Sequence, residues 1–166
     1  MAFLKDCQEV TLYDTIIFMT ATGHALIGAV IAAKIGNPYL AIPIAIVSHF
    51  AADIYPHWDS GTNGSKKTKK RFLTEAVVDV LVGFVASYML LTSFFPQTNL
   101  LYALIIVIAA QLPDWATAPY LIGIKKQPFI SFYKFQSRFN TRLDKPWGII
   151  TQIFAISLLI LLAKFF

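Results

Sequence analysis

The sequence predicts an all-α integral membrane protein: a bundle of about five transmembrane helices plus an interfacial amphipathic helix. Three observations predict this class. The 166 residues are 57% hydrophobic and only 14% charged, with a mean hydropathy of +0.62, whereas soluble domains carry about 25% charged residues. The apolar residues form runs near the length of about 20 residues that crosses a bilayer. The basic residues are concentrated in two connections between those runs.

Five apolar runs are the predicted spans, and they make residues 1–166 a single membrane domain. Their approximate bounds are 15–35, 38–56, 76–95, 99–112 and 148–166. The fourth run is short, because Pro113 and Pro119 interrupt its continuation. The first run is interpreted as a span rather than a signal peptide, since Asp6, Glu9 and Asp14 stand where a signal peptide carries basic residues.

The distribution of basic residues predicts the topology. Of the 14 Lys and Arg residues, five lie in the connection 57–74 and six in the connection 123–146. Short basic loops stay cytoplasmic, and the third and fourth spans return the chain to the same side through an uncharged tip at 96–99. We therefore predict a multi-pass protein of the cytoplasmic (inner) membrane, with its N-terminus inside and its C-terminus outside. Trp58, Trp115 and Trp147 all fall at cytoplasmic ends, as an aromatic belt would.

The second basic connection also predicts a surface helix at residues 128–143. Five large apolar residues share one side of it at helical spacing: Phe129, Phe132, Phe135, Phe139 and Leu143. Basic residues line another side, which is typical of a helix lying in the headgroup region of the bilayer. Anionic lipid headgroups are the expected partners, although these charges could also serve only to fix topology. No nucleic-acid partner is expected, because topology accounts for the basic residues.

Ionisable residues inside the spans are the main functional signal, because such groups are costly in a bilayer and rare. At 1.5 Å per helical residue, His24 lies about 13 Å and His49 about 10 Å from the same membrane face. Asp79 lies at a similar depth, and shallower groups surround these: Asp53, His57, Asp59, Glu75 and Asp114. Four different spans thus bring imidazole or carboxylate groups to one half of the bilayer.

The strongest motif is HFAADIYPHWD at residues 49–59. Its spacing of four places His49 and Asp53 on one helical face, and Pro56 ends the helix so that His57 and Asp59 lie on the exit turn. Mixed imidazole and carboxylate ligands suit zinc, or manganese or iron where more oxygen donors are present. The predicted metal ligands are His24, His49, Asp53, His57, Asp79 and Asp114.

Each of these residues also has a simpler interpretation. Asp59 could open a turn, Asp114 could cap a helix that begins at Trp115, and Glu75 could complement the dipole at a helix N-terminus. His24 could hydrogen-bond across helices, beside a stripe of small residues suited to close packing within or between chains. That stripe consists of Ala21, Ala25, Gly28 and Ala32.

Three stretches resemble the YdjM-like family of membrane-bound metal-dependent hydrolases, which includes LexA-regulated inner-membrane members. They are TGHALIG at 22–28, the motif at 49–59 and LPD at 112–114. The resemblance implies a membrane-bound metal site and hydrolysis. Members often carry a His-Arg segment followed by Thr-His-Ser, which this chain lacks. Either its site is richer in carboxylates or the hydrolytic activity has been lost.

Three functions remain open from the sequence. The first is a metal-dependent hydrolase at the cytoplasmic face, acting on a lipid or other phosphoester, with Asp59 or Glu75 as the general base. The second is a cation or proton transporter that uses the same groups. The third is a non-catalytic scaffold that the metal stabilises.

Overall fold

A computed structural model describes residues 20–58, 68–141 and 143–166, and this part of the chain contains six helices and no strand. The helices are α1 Ala21–Lys34, α2 Pro38–Ile54, α3 Lys69–Phe94, α4 Leu100–Leu121, α5 Phe129–Gln136 and α6 Trp147–Phe165. The all-α prediction is therefore confirmed for these residues.

Three of the helices are long and apolar enough to cross a membrane: α3, α4 and α6. Helices α1 and α2 are apolar but have only 14 and 17 residues, so these spans number three rather than the five predicted. The first predicted span also begins before residue 20, outside the described part. These three helices indicate a membrane protein, and their apolar surfaces are compatible with contact to a lipid bilayer.

Helix boundaries differ from the predicted spans where local interactions outweigh the apolar pattern. Helix α3 begins well before residue 76, because the Thr68 side chain accepts a hydrogen bond from the Arg71 amide and caps it. Helix α4 continues through Pro113 and Pro119 instead of ending near residue 112, since helices in membrane proteins tolerate proline when neighbouring groups satisfy the freed carbonyls. Helix α5 covers only part of the predicted 128–143 segment.

Helix α5 ends at Gln136, and the backbone that follows it pairs with the end of α2. The Thr141 amide donates to the Asp53 carbonyl (3.0 Å), and the Leu143 amide donates to the His57 carbonyl (2.9 Å). Residues beyond Gln136 therefore leave the helix to pair with the chain that exits α2. Helix α5 packs on α4, and its Phe135 and Gln136 side chains contact Phe50 and His49 of α2.

The interior of the bundle is made of small residues, and the large apolar side chains face outward. Alanine dominates the core: Ala25, Ala29, Ala32, Ala41, Ala45, Ala103 and Ala110 are nearly or fully buried. Helix α1 lies at the centre, where a Cβ on Gly28 would come within 2.9 Å of the Ala110 Cβ and one on Gly83 within 3.1 Å of the Ala25 Cβ. The predicted small-residue stripe therefore packs within the chain, as in membrane helix bundles.

One end of the bundle gathers the start of α1, the exit of α2, the start of α3, the second half of α4 and the start of α6. The Thr151 hydroxyl donates to the Pro56 carbonyl (2.7 Å), and Gln152 is hydrogen-bonded to the Thr20 hydroxyl (3.1 Å). Gly148 allows α6 to approach closely, since a Cβ there would lie 2.7 Å from the Trp58 amide nitrogen. The polar residues of interest lie at this end.

Candidate metal centre

His24 is positioned by the N-terminal cap of α1. The Asp79 carboxylate of α3 accepts hydrogen bonds from the Ala21 amide (2.6 Å) and from the Thr22 hydroxyl (2.7 Å) and amide (3.3 Å). An acid at this place satisfies amides that no helical carbonyl can reach and complements the helix dipole. The structure thus uses Asp79, a predicted metal ligand, to fix the first turn of α1, which carries His24.

His49 is oriented by a carbonyl of α4. Its Nδ1 donates to the Ala110 carbonyl oxygen (2.8 Å). In the neutral form of the ring with its proton on Nδ1, Nε2 carries the lone pair. Histidines that bind metals commonly donate their other N–H to a carbonyl in this way, so the tautomer suits a ligand.

Four side chains converge on the space around His49 Nε2. Asp114 Oδ1 lies 3.2 Å from His49 Nε2, and the Asp53 carboxylate bridges the two histidines, with Oδ1 3.2 Å from His24 Nε2 and Oδ2 3.4 Å from His49 Nε2. The imidazole rings of His24 and His49 are stacked, with centroids 3.7 Å apart and planes at 17°. We call His24, His49, Asp53 and Asp114 the His/Asp cluster.

The spacing of the His/Asp cluster fits a single ion. His24, His49 and Asp114 each offer one ligand atom, and these atoms all lie within 4.8 Å of one another. Ligands about 2.0–2.1 Å from a tetrahedral metal lie about 3.3–3.4 Å apart, and the 3.2 Å between His49 Nε2 and Asp114 Oδ1 is close to that spacing. A His/His/Asp group that could hold a metal ion is therefore present.

Burial supports the same interpretation. The side chains of His24, His49 and Asp53 are fully buried, whereas Asp114 is 13% exposed. His24 Nδ1 is buried and makes no hydrogen bond within the described residues, whereas its Nε2 faces Asp53 Oδ1 at 3.2 Å. A buried polar atom left without a partner costs about 1–3 kcal/mol, and a ligand bound at that atom would remove the cost.

Gln136 of α5 belongs to the site, and the sequence reasoning missed it. Its Nε2 donates to Asp114 Oδ1 (2.6 Å) and to His49 Nε2 (3.0 Å). A neutral residue escapes any search for ionisable groups. The available signal was helical spacing, because Phe129, Tyr133 and Gln136 are four and three residues apart, and the latter two are buried. The more obvious phenylalanine stripe, by contrast, includes the exposed Phe132 and Phe135.

His57 is buried near the exit of α2 but is not one of the three residues grouped within 4.8 Å. Its Nδ1 donates to the Tyr55 carbonyl (2.7 Å), and its backbone amide donates to the Thr141 carbonyl (3.2 Å). Its Nε2 is buried without a hydrogen bond to any residue the structure describes. A ligand role for His57 stays a prediction.

Of the two predicted general bases, the structure describes only Glu75, which is paired with Arg71. Glu75 Oε1 accepts from Arg71 Nε (2.9 Å) on the first turns of α3, and its side chain is 31% exposed. Asp59 lies outside the described residues. Asp114 is internal to α4, so it does not cap a helix that begins at Trp115.

No family model, curated protein or solved structure matches the chain. The resemblance to YdjM-like hydrolases therefore stays a prediction that rests on the three stretches in which it was noticed. The described residues establish a narrower result: an all-helical protein with three helices able to cross a membrane and a buried His/His/Asp group able to hold a metal ion.

Proposed function

We propose that the protein is a membrane-embedded metal-dependent hydrolase whose metal is held by the His/Asp cluster. The observation that carries the proposal is the convergence of two buried imidazoles on two carboxylates at 3.2–3.4 Å, with the ring of His49 fixed in the tautomer that leaves Nε2 available. Ionisable groups inside a membrane protein are energetically costly and rare, so a cluster of them from three helices indicates a functional site.

Zinc is the proposed ion, because two imidazoles with carboxylate oxygens match its usual ligands, and manganese or iron are the alternatives. A bound divalent ion would activate water and polarise the oxygen of an ester. The residues of this chain would then orient the reactants. Asp53 bridges both histidines, and a metal on His49 Nε2 would free one amide hydrogen of Gln136 to donate to a substrate oxygen. Asp59 or Glu75 stays the proposed general base.

The proposed topology has five crossings, with α1 and α2 completing the set and the site near the cytoplasmic face of the inner membrane. Its support is that both basic connections lead from the same end of the bundle, the end that contains the His/Asp cluster. Lys70 and Arg71 begin α3, while Lys125 and Lys126 follow α4. Lys34 and Lys164 end α1 and α6 at the opposite end.

A structural metal site is the second candidate function, and the full burial of His24, His49 and Asp53 favours it. Structural zinc sites are closed, whereas catalytic sites keep a position open to substrate. The 13% exposure of Asp114 favours the catalytic alternative, since it gives one side of the cluster access to the surroundings.

Turnover of phosphoesters by purified, metal-loaded protein tests the proposal. We expect hydrolysis that stops after chelation, returns with added zinc or manganese, and is abolished in His49→Ala and Asp114→Asn. Asp144→Asn is the matched control, because Asp144 is an exposed acid that precedes α6. Activity that survives in His49→Ala, or that is insensitive to chelation, would contradict a metal-dependent mechanism at this site.

A further inference from the structure

An apolar cleft of about 300 Å³ lies between the first half of α3 and the second half of α4. Ligand sites in proteins have volumes of about 300–1,000 Å³. The wall from α3 includes Leu73, Val77 and Leu81, and the wall from α4 includes Trp115 and Ile122. All five are exposed by 36% or more, so the cleft opens to the outside along two helices that are candidate membrane spans.

The cleft exists because α1 holds its two walls apart. Helices α3 and α4 are joined by a short connection at the opposite end of the bundle. Gly83 of α3 packs on Ala25 of α1, and Ala110 of α4 packs on Gly28, about one turn further along α1. The separation is thus a consequence of close backbone packing and not of a mobile loop.

The polar end of the cleft is Asp114, a member of the His/Asp cluster. Asp114 is also the one member whose side chain is exposed, at 13% against 0% for His24, His49 and Asp53. The other acid at the cleft, Asp79, is engaged by the amides at the start of α1. The cluster therefore meets its surroundings at the cleft, on the face of the bundle that lipid would cover.

We propose that this cleft binds one hydrocarbon chain of a membrane lipid and that the substrate is a lipid phosphoester entering sideways from the bilayer. The inference rests on the proposed function and adds to it the substrate class and the route. An apolar wall suits the chain, and Asp114 marks where the head of the lipid would meet the cluster. Lys125 and Lys126 follow the cleft residue Ile122 closely in the chain and would supply positive charge for an anionic headgroup.

Two adjacent valines give a matched test. Val77 lines the cleft and is 58% exposed, whereas Val78 is 51% exposed and does not line it. We expect Val77→Trp to fill the cleft and Val78→Trp to add the same bulk to the outer surface. The probe is phosphatidylglycerol with one pyrene-labelled acyl chain, measured as the amount that stays bound per metal-loaded protein chain after detergent exchange.

We expect Val77→Trp to weaken retention of this lipid about tenfold, and Val78→Trp to retain as much lipid as the unmodified protein. A tenfold loss corresponds to about two methylene groups of the acyl chain that are no longer buried. Val77→Trp should also raise the KM for a long-chain phosphoester but not for p-nitrophenyl phosphate, which has no chain. Equal retention in the two variants would overturn the inference. A change in oligomeric mass for Val77→Trp without loss of lipid would also overturn it, because a second copy would then cover the cleft.

These outcomes separate the inference from the proposed function. If the protein hydrolyses no phosphoester but still loses the pyrene lipid only in Val77→Trp, the proposed hydrolase fails and the lipid cleft stands. If p-nitrophenyl phosphate is hydrolysed in a metal-dependent way and both variants retain lipid equally, the hydrolase stands and the lipid cleft is refuted.

Discussion

Replacing Gln136 with leucine should tighten metal binding while making the metal-free protein less stable. Leucine keeps most of the volume of glutamine but lacks the amide that donates to His49 Nε2 at 3.0 Å and to Asp114 Oδ1 at 2.6 Å. A metal must compete with both hydrogen bonds for the same ligand atoms. Removing the amide removes that competition, and it also leaves the acceptors without this donor in the metal-free state.

The size of the effect follows from the two contacts. A hydrogen bond to a neutral acceptor contributes about 1 kcal/mol, and one to a charged acceptor about 1.5–3 kcal/mol. If the metal displaces both hydrogen bonds, Gln136→Leu should make zinc binding more favourable by about 3 kcal/mol. The Kd for zinc should then fall roughly 100-fold. The metal-free protein should lose a similar free energy of unfolding, seen as a lower Tm.

Competition with a chelator of known zinc affinity measures the Kd, and thermal unfolding with and without zinc measures the stability. Gln152→Leu is the matched control, because Gln152 is also buried but is hydrogen-bonded to Thr20 and not to the His/Asp cluster. An unchanged Kd would show that Gln136 does not compete with the metal. A higher Kd would show that Gln136 is itself a metal ligand, and this would refute the reasoning.

Three further predictions concern residues around the His/Asp cluster. Gly28→Val should destabilise the bundle by about 1–3 kcal/mol, because a Cβ at this position would lie 2.9 Å from the Ala110 Cβ. Gly36→Val is the control and should leave the Tm nearly unchanged, because a Cβ there would meet no atom within 4 Å. Asp79→Asn should lower the free energy of unfolding by about 1 kcal/mol through loss of the α1 cap but retain bound metal; a loss of metal measured by elemental analysis would restore Asp79 as a ligand. Glu75→Gln should change stability by less than about 1 kcal/mol, because the ion pair with Arg71 is exposed; a large fall in kcat in that folded variant would then identify Glu75 as the general base, and normal kcat would exclude it.

Composition and spacing were sufficient to predict the helical class and the core of the cluster. The spacing of four between His49 and Asp53, and the end of α2 before Pro56, are local features that a helix imposes whatever surrounds it. The depth arithmetic brought His24 to the level of His49 because helical rise is nearly constant, whereas it placed Asp114 among the shallower groups. Two residues at the same depth in a bilayer can still face different helices, and depth alone does not determine which helix each residue faces.

The sequence could not predict how the helices rotate about their axes. Asp79 lies at the predicted depth but faces the start of α1, where free amides bind it. Gln136 reaches the cluster only because residues after α5 pair with the exit of α2, a contact between segments about 85 positions apart. The continuation of α4 through Pro113 was missed for a related reason, since tertiary packing outweighs the local preference of proline.

X-ray absorption at the metal edge tests the central claim, that the His/Asp cluster holds a metal ion, most directly. For zinc-loaded protein we predict two imidazole ligands with oxygen donors at about 2.0–2.1 Å, about one ion per chain by elemental analysis, and the loss of one imidazole from the spectrum in His24→Ala. A spectrum without histidine ligands, or full zinc occupancy with an unchanged spectrum in both His24→Ala and His49→Ala, would contradict the account.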